Sequence, residues 1–340
     1  MVQVGVIGYG YWGPNLVRNL MELPDCGVGA ICDRREDRLA LAARRCPGAR
    51  VTSDPESVIG DASIDIVVVA TPVTTHYEIA RAALRAGKHV LVEKPLTTSS
   101  EEARDLIEEA ERQKRVLMVD HTFAYTGAVR EIKSLVSSGE LGKIHYLDSV
   151  RINLGLFQHD VNVLWDLAVH DLSIADHVLG EPVTGVSALA FSHLAGQPEN
   201  LAYLTLAYGS GAVAHVHVNW LAPVKMRRTV LAGSRKMVVY DDLEPSDKVK
   251  IYDSGVDLAP DEASVHRMLV SYRVGEMRAP RLDHSEALGT EMRHLLECVK
   301  HGYAPLTDGH AGRRVVRLLE LAQASIQQGG RMISAEGDKP

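Results

Sequence analysis

Short apolar runs alternate with amphipathic stretches along the first third of the chain. Val2, Val4, Val6 and Ile7 open the series, "VGAIC" follows, "ARVTSD" holds a shorter run, and "IDIVVVATP", "HVLVEKP" and "VLMVD" complete it. Runs with so little polar alternation are typical of strands covered on both faces, as in a parallel sheet between helices. The stretches "DRLALAARR", "TTHYEIARAALRAGKH" and "SSEEARDLIEEAERQKR" read as those helices. Gly87 suits a left-handed helix end, and Ser99 with Glu102 forms a capping-box pattern. Strand and helix in this order predict an α/β domain with a doubly wound parallel sheet over residues 1–121.

The style changes after residue 121. Thr126 to Ser138 reads as a helix, "SGELG" as a turn and "IHYLDSVRI" as a strand. "VNVLWDLAVHDLSIADHVLG" is helical by its apolar Val163, Leu167, Ile174 and Val178, with Gly180 as the stop. Six strand-like runs follow between "PVTGVSALAF" and "KVKIYD", joined mostly by short turns, which predicts a large, mainly antiparallel open sheet. Helices return at "SEALGTEMRHLLECVKHG" and "HAGRRVVRLLELAQASIQQG". Residues 122–340 are therefore expected to form an α+β domain for substrate binding and oligomerisation. A sheet face uncovered by its own helices would serve a homodimer or homotetramer.

Size and composition narrow the function. A chain of 340 residues is long for one core, in keeping with two domains. The apolar fraction of 46% and charged fraction of 24% are those of a soluble globular protein. A net charge of -7 argues against nucleic acid or an anionic membrane as main partner. No apolar run reaches a membrane span, and "MVQVGVIG" begins a strand with no export signal. Cys26, Cys32, Cys46 and Cys298 lack zinc spacing and are too few for a disulfide framework, so reduced thiols in the cytoplasm are expected.

Candidate chemistry starts at "GYGYWGPNLVRNL". Gly8, Gly10 and Gly13 fit G-x-G-x-x-G between a strand and a helix, and Pro14 suits the first helical turn. Such glycines let the backbone approach a pyrophosphate at the positive end of the helix, the signature of a Rossmann unit. Tyr11 and Trp12, between the glycines, are assigned to the cofactor with them. Asp33 lies twenty residues past Gly13, where a carboxylate would accept hydrogen bonds from the adenosine ribose of NAD. Arg34 and Arg35 keep NADP open as the alternative.

Glu93, Lys94 and Pro95 end a strand of this sheet, where the reactive end of a dinucleotide would lie. The Lys94–Pro95 bond is a candidate cis peptide. Asp166 and His170, spaced i, i+4 on a helix, pair a carboxylate with a proton acceptor suited to neutral pH. His215 and His217 alternate along one strand with no third ligand at a useful spacing. They are read as part of a sheet face, and no metal is expected. Trp165 and Trp220 are assigned to packing.

The stretches "GVIGYGYWGPNLVRN", "VVVATPVTTHYEIARAALRAGKHVLVEKPLTTS" and "DVNVLWDLAVHDLSIADHVLG" resemble the glucose-fructose oxidoreductase and inositol dehydrogenase family, Gfo/Idh/MocA, over nearly the whole chain. The resemblance implies that Lys94 contacts nicotinamide ribose and substrate, that His170 is the acid/base residue, and that Asp166 is its neighbour. It also implies that Thr71, Pro72 and His76 lie along the cofactor with Glu93 and Arg34. Tyr125, Arg151, Asn153, Asp160 and Asn162, which flank the acid/base helix, are expected to face the substrate. A narrower similarity points to nucleotide-sugar 3-dehydrogenases and oxidation at C3 of a nucleotide sugar. The alternatives are an inositol or aminosugar dehydrogenase, an NAD-dependent glycosidase, and a non-enzymatic cofactor-sensing regulator.

Overall fold

A computed structural model describes residues 1–155, 161–253, 255, 256, 272, 273 and 275–335. The chain divides into two units: Met1–Thr126 with His284–Glu320, and Gly127–Asp283 with Leu321–Pro340. This differs from a single boundary at residue 121, because a late segment returns to the first unit. The reason is apolar burial. The helix Ala287–His301 turns Leu288, Met292, Leu295 and Leu296 into the same core as Leu16, Leu20 and Met118.

The first unit holds six parallel strands: β1 (Val2–Ile7), β2 (Cys26–Cys32), β3 (Arg50–Thr52), β4 (Ile66–Val69), β5 (His89–Glu93) and β6 (Leu117–Asp120). Their order is β3-β2-β1-β4-β5-β6, with the reversal between β1 and β4. All four residues of β4 are buried, as expected for a strand covered on both faces. The crossovers carry α1 (Gly13–Met21), α2 (Glu36–Arg45), the short α3 (Pro55–Ile59), which the apolar pattern did not announce, α4 (His76–Arg85) and α5 (Ser100–Gln113). Gly87 takes a φ of +77° just past α4, and the Ser99 side chain caps α5 by accepting from the Glu102 amide. Glu102 reaches back to the Thr98 amide and hydroxyl rather than to Ser99, so the box closes one residue early.

In the second unit, α6 (Gly127–Ser137) leads to β7 (Ile144–Leu154). A π-helical turn, Leu164–Ala168, runs directly into α7 (Val169–Leu179), which Gly180 ends at a φ of +66°. Strands β8 (Val183–Phe191), β9 (Leu201–Tyr208), β10 (Val213–Asn219), β11 (Leu221–Gly233), β12 (Met237–Asp241) and β13 (Val249–Tyr252) follow. The pairs β14 (Gly255–Val256) with β15 (Tyr272–Arg273), then β16 (Met277–Arg278) and β17 (Ile333–Ser334), complete the strands. The main sheet has nine strands, ordered β16-β13-β12-β11-β7-β10-β9-β8-β17. It is antiparallel except where β10 pairs parallel to β7. The helices after Asp283 are α8 (Ala287–His301) and α9 (Gly309–Gln327).

Strand periodicity sorts the nine-stranded sheet into two faces. One buries Leu204 and Leu206 on β9 and Ala214, Val216 and Val218 on β10. The other presents Tyr146 on β7, Leu189 and Phe191 on β8, Tyr203 on β9 and Val213 on β10, all exposed. His217 stacks on Tyr203 there, with ring centroids 4.5 Å apart, and His215 lies next along the strand. No described helix is long and apolar enough to cross a membrane. The four cysteines are free and buried; burial pushes Cys26, Cys32 and Cys298 up to about 11.

Candidate active site

In the first unit the assigned residues cluster at the carboxyl ends of the strands, where open α/β sheets take ligands. Gly8 leaves β1 at a φ of +104°, and a Cβ there would fall 2.3 Å from the Ala70 carbonyl oxygen. A Cβ on Gly13 would meet the Gly8 oxygen at 2.2 Å. These two glycines are fixed by the protein's own turn. Gly10 is different: nothing lies within 4 Å of its Cβ position, so its backbone lines open space that a pyrophosphate can approach. Tyr11 beside it is exposed, and Trp12, the residue before α1, donates its indole N–H to Asp120 at 2.9 Å.

Asp33 stands at the end of β2. Its Oδ2 accepts from the Tyr9 amide at 2.7 Å and its Oδ1 from the Arg35 amide at 2.9 Å. Each oxygen keeps a second lone pair, so the carboxylate can still receive a vicinal pair of ribose hydroxyls. Arg34 is exposed, and the Arg35 guanidinium sits 3.8 Å from Asp33. Gly10, the start of α1 and Asp33 together fit the pyrophosphate and adenosine ribose of NAD.

Beyond β4, Thr71 and Pro72 lead into a 3-10 turn, Val73–Thr75. His76 is buried between two carbonyls, with Nδ1 2.9 Å from the Pro95 oxygen and Nε2 2.8 Å from the Thr71 oxygen. A neutral ring donates to one of them, and burial lowers its proton affinity. The imidazole thus ties the turn after β4 to the turn after β5. Lys94 and Pro95 are joined by a cis peptide bond. Lys94 is half-buried, and its amide donates to Glu93 Oε2 at 3.1 Å.

Burial, and next the charge of Asp120, raise the Glu93 carboxyl well above the usual carboxylate range. Burial acts the same way on Asp120. Hydrogen bonds to it, from Glu93 and Glu291 first and then from Thr122 and Trp12, outweigh that and lower it. Glu291 on α8 is fully buried and raised, by burial and then by Asp120. This carboxyl cluster was missed in the sequence. Asp120 had a signal, being an acid at the end of an apolar strand. Glu291 had another, since it interrupts the apolar stripe Leu288, Leu295 and Cys298.

In the second unit, Asp166 lies on the π-helical turn and His170 in the first turn of α7, both half-buried. Asp166 Oδ2 accepts the Trp220 indole N–H at 3.0 Å. Trp220 is fully buried, so it packs as expected but also aims the carboxylate. Asn153 follows Arg151 on the same face of β7 and is half-buried. Asp160 lies outside the described residues.

Three residues expected to face substrate are committed elsewhere. Arg151 is buried in an ion pair with Asp171, Nε to Oδ2 at 2.7 Å, and Ser149 donates to the same carboxylate at 2.7 Å. It braces β7 against α7, next to His170. Asn162 donates to Glu199 and Gln323 and accepts from the Trp165 amide, holding the start of the helix. Tyr125 is buried in the core of the first unit, its hydroxyl 3.3 Å from that of Thr307. Flanking the acid/base helix in sequence is a poor guide here because alternate residues of β7 and the ends of helices are claimed by packing. No group of three or more His, Cys, Asp or Glu able to hold a metal ion occurs among the described residues.

Comparison with known proteins bears on the same elements. Residues 2–121 match an oxidoreductase family with an NAD-binding Rossmann fold, and residues 129–239 match the GFO/IDH/MocA C-terminal domain. The uncharacterized oxidoreductase YdgJ of Escherichia coli (strain K12) is 31% identical over 260 residues, covering 73% of either chain. The UDP-N-acetylglucosamine 3-dehydrogenase of Acidithiobacillus ferrooxidans is 26% identical over 331 residues, 96% of this chain and 97% of the relative. The crystal structure of GenD2 from gentamicin A biosynthesis, in complex with NAD, superposes with a TM-score of 0.83 at 25% identity. That match covers 99% of this chain and 97% of the other.

Proposed function

The chain belongs to the Gfo/Idh/MocA family of NAD-binding oxidoreductases, and from that premise we propose that it oxidises a secondary alcohol of a sugar, with C3 of a nucleotide sugar as the first candidate. One observation carries the reading: Gly10, Asp33 and Lys94 stand past the carboxyl ends of β1, β2 and β5 of one parallel sheet, the side on which such sheets take ligands. The similarity to a UDP-N-acetylglucosamine 3-dehydrogenase over almost the full length supports the choice of substrate.

NAD, when bound, supplies the hydride acceptor. His170 takes the hydroxyl proton, and Asp166, fixed by Trp220, hydrogen-bonds the sugar beside it. Lys94 donates a hydrogen bond to the carbinol oxygen and stabilises the negative charge that develops there. In the reductive direction His170 returns the proton. Asp33 favours NAD, since a carboxylate repels a 2′-phosphate; Arg34 and Arg35 are the groups through which NADP would be held instead. The exposed apolar row on the nine-stranded sheet fits a second copy of the chain, and four free thiols suit the cytoplasm.

The test is incubation of the purified protein with NAD or NADP and a panel of nucleotide sugars, inositols and aminosugars, following reduced cofactor. Formation of NADH with a UDP-sugar, and a 3-keto product by mass spectrometry, is expected. NADH with an inositol alone moves the assignment to a cyclitol. Release of a free sugar without net NADH identifies a glycosidase, and no turnover with any substrate overturns the enzymatic reading.

A further inference from the structure

The carboxyl cluster has no part in the chemistry set out above, yet it ends on Lys94. Asp120 is 2% exposed, Glu291 is fully buried, and Oε1 of Glu93 is also shielded from solvent. Glu93 and Glu291 both lie within hydrogen-bonding reach of Asp120. Carboxylates have no proton to donate, so each of these contacts is a hydrogen bond only if one partner is protonated. Three adjacent negative charges in a buried site would repel strongly.

The donors decide where the charge sits. Asp120 receives the Trp12 indole N–H on Oδ2 and the Thr122 hydroxyl on Oδ1. Neither oxygen of Glu291 receives a hydrogen bond of ordinary geometry among the described residues. With the Thr122 proton given to Asp120, the proton joining Glu291 to Asp120 belongs to Glu291. Glu93 contacts Asp120 on one side and receives the Lys94 amide on the other. Among the described residues, the charged and titratable groups next to this string include Lys94, from the turn after β5, Tyr125, from the 3-10 turn after β6, and the buried His121, which follows Asp120 in the chain.

We propose that Glu291 is a positioning residue for Lys94: it holds a proton against Asp120, and the string Glu291–Asp120–Glu93 carries one negative charge and fixes the main chain at Lys94. The inference rests on the role given to Lys94 above. It assigns work to a helix that sequence reasoning placed in the other domain.

Two variants of the full chain test it. Glu291→Gln keeps the shape and an N–H donor to Asp120, whereas Glu291→Leu removes the donor. A carboxyl raised above its ordinary value of 4.5 weakens the native state increasingly as pH rises above that value. Urea unfolding at about pH 5 and about pH 8.5 should therefore show Glu291→Gln gaining stability relative to wild type as pH rises. Parallel pH dependences would overturn the shared proton. Accessibility of the Lys94 amine, read by mass spectrometry after brief acetylation, should rise several-fold in Glu291→Leu and stay at the wild-type level in Glu291→Gln. Unchanged labelling in Glu291→Leu, or equal exposure in both variants, would overturn the positioning role. Neither readout needs a sugar substrate, so failure here is distinct from failure of the proposed reaction. If turnover is found, kcat should fall about tenfold in Glu291→Leu and be recovered by Glu291→Gln, with NAD affinity unchanged in both.

Discussion

Lys94 leaves β5 with its amide held by Glu93 and its side chain half-buried, at the end of a different strand from the glycine turn and Asp33. Lys94→Ala is expected to lower kcat by about 10²–10³-fold, the loss typical of a donor to a developing oxyanion. NAD affinity, measured by titration calorimetry, should change little. If the variant loses NAD binding and nothing else, Lys94 is a cofactor ligand and the assigned chemistry fails. Trp220 is a second residue of this kind. Its indole aims Asp166, and Trp220→Phe keeps the ring but removes the N–H. A hydrogen bond to a charged group contributes about 1.5–3 kcal/mol, so kcat/KM should fall roughly tenfold or more while NAD binding holds. At this scale the sequence was informative where a residue sits on a strand end, as Asp33 and Lys94 do. It did not show the burial of Arg151 and Tyr125, because their partners Asp171 and Thr307 are distant in the chain.

Single elements depend on contacts that no local pattern shows. The helix expected over 161–180 keeps its Gly180 stop, but α7 itself begins only at Val169, because Leu164–Ala168 form a π-helical turn that no proline or glycine marks. What anchors α7 is the buried pair Arg151–Asp171, with Ser149 and Thr229 beside it. Asp171→Ala leaves the guanidinium buried without this carboxylate, and breaking a buried pair in this way costs about 3–5 kcal/mol. Chemical denaturation should show that loss, and a change under about 1 kcal/mol would mean that the pair is relaxed by solvent. His89 links two strands. Its Nδ1 accepts the Val116 amide at 3.0 Å, which requires an unprotonated nitrogen. Burial, and then Arg115, lower it to about 4. The group therefore contributes stability that is present above its ordinary value of 6.5 and is lost as pH falls from there toward 4. His89→Asn should flatten that acid-side decline in a series of unfolding curves. An unaltered slope would place the acid sensitivity elsewhere.

For the whole molecule, the chain divides into two units, and a segment late in the sequence belongs to the first of them. Both sheet types followed from the apolar runs because period and length are local properties of the chain, whereas the order of strands within each sheet did not. The destination of α8 did not, since an amphipathic helix announces that it has a core to join and not which one. The outward row of Tyr146, Leu189, Phe191 and Tyr203 gives the second sheet a face of interface type. Tyr203→Glu, which adds a charge at the middle of that row, is expected to convert an oligomer into monomers in analytical ultracentrifugation. An unchanged mass would remove this face from the assembly.

The late return of α8 has a consequence for the order of events during synthesis. The dinucleotide half lacks Leu288, Met292, Leu295 and Leu296 until the strands of the second unit from β7 to β16 have been synthesised. A nascent chain arrested after residue 126 would expose the apolar surface these side chains cover, a natural target for chaperones. A message truncated before Ala287 would therefore encode a dinucleotide half lacking that part of its core.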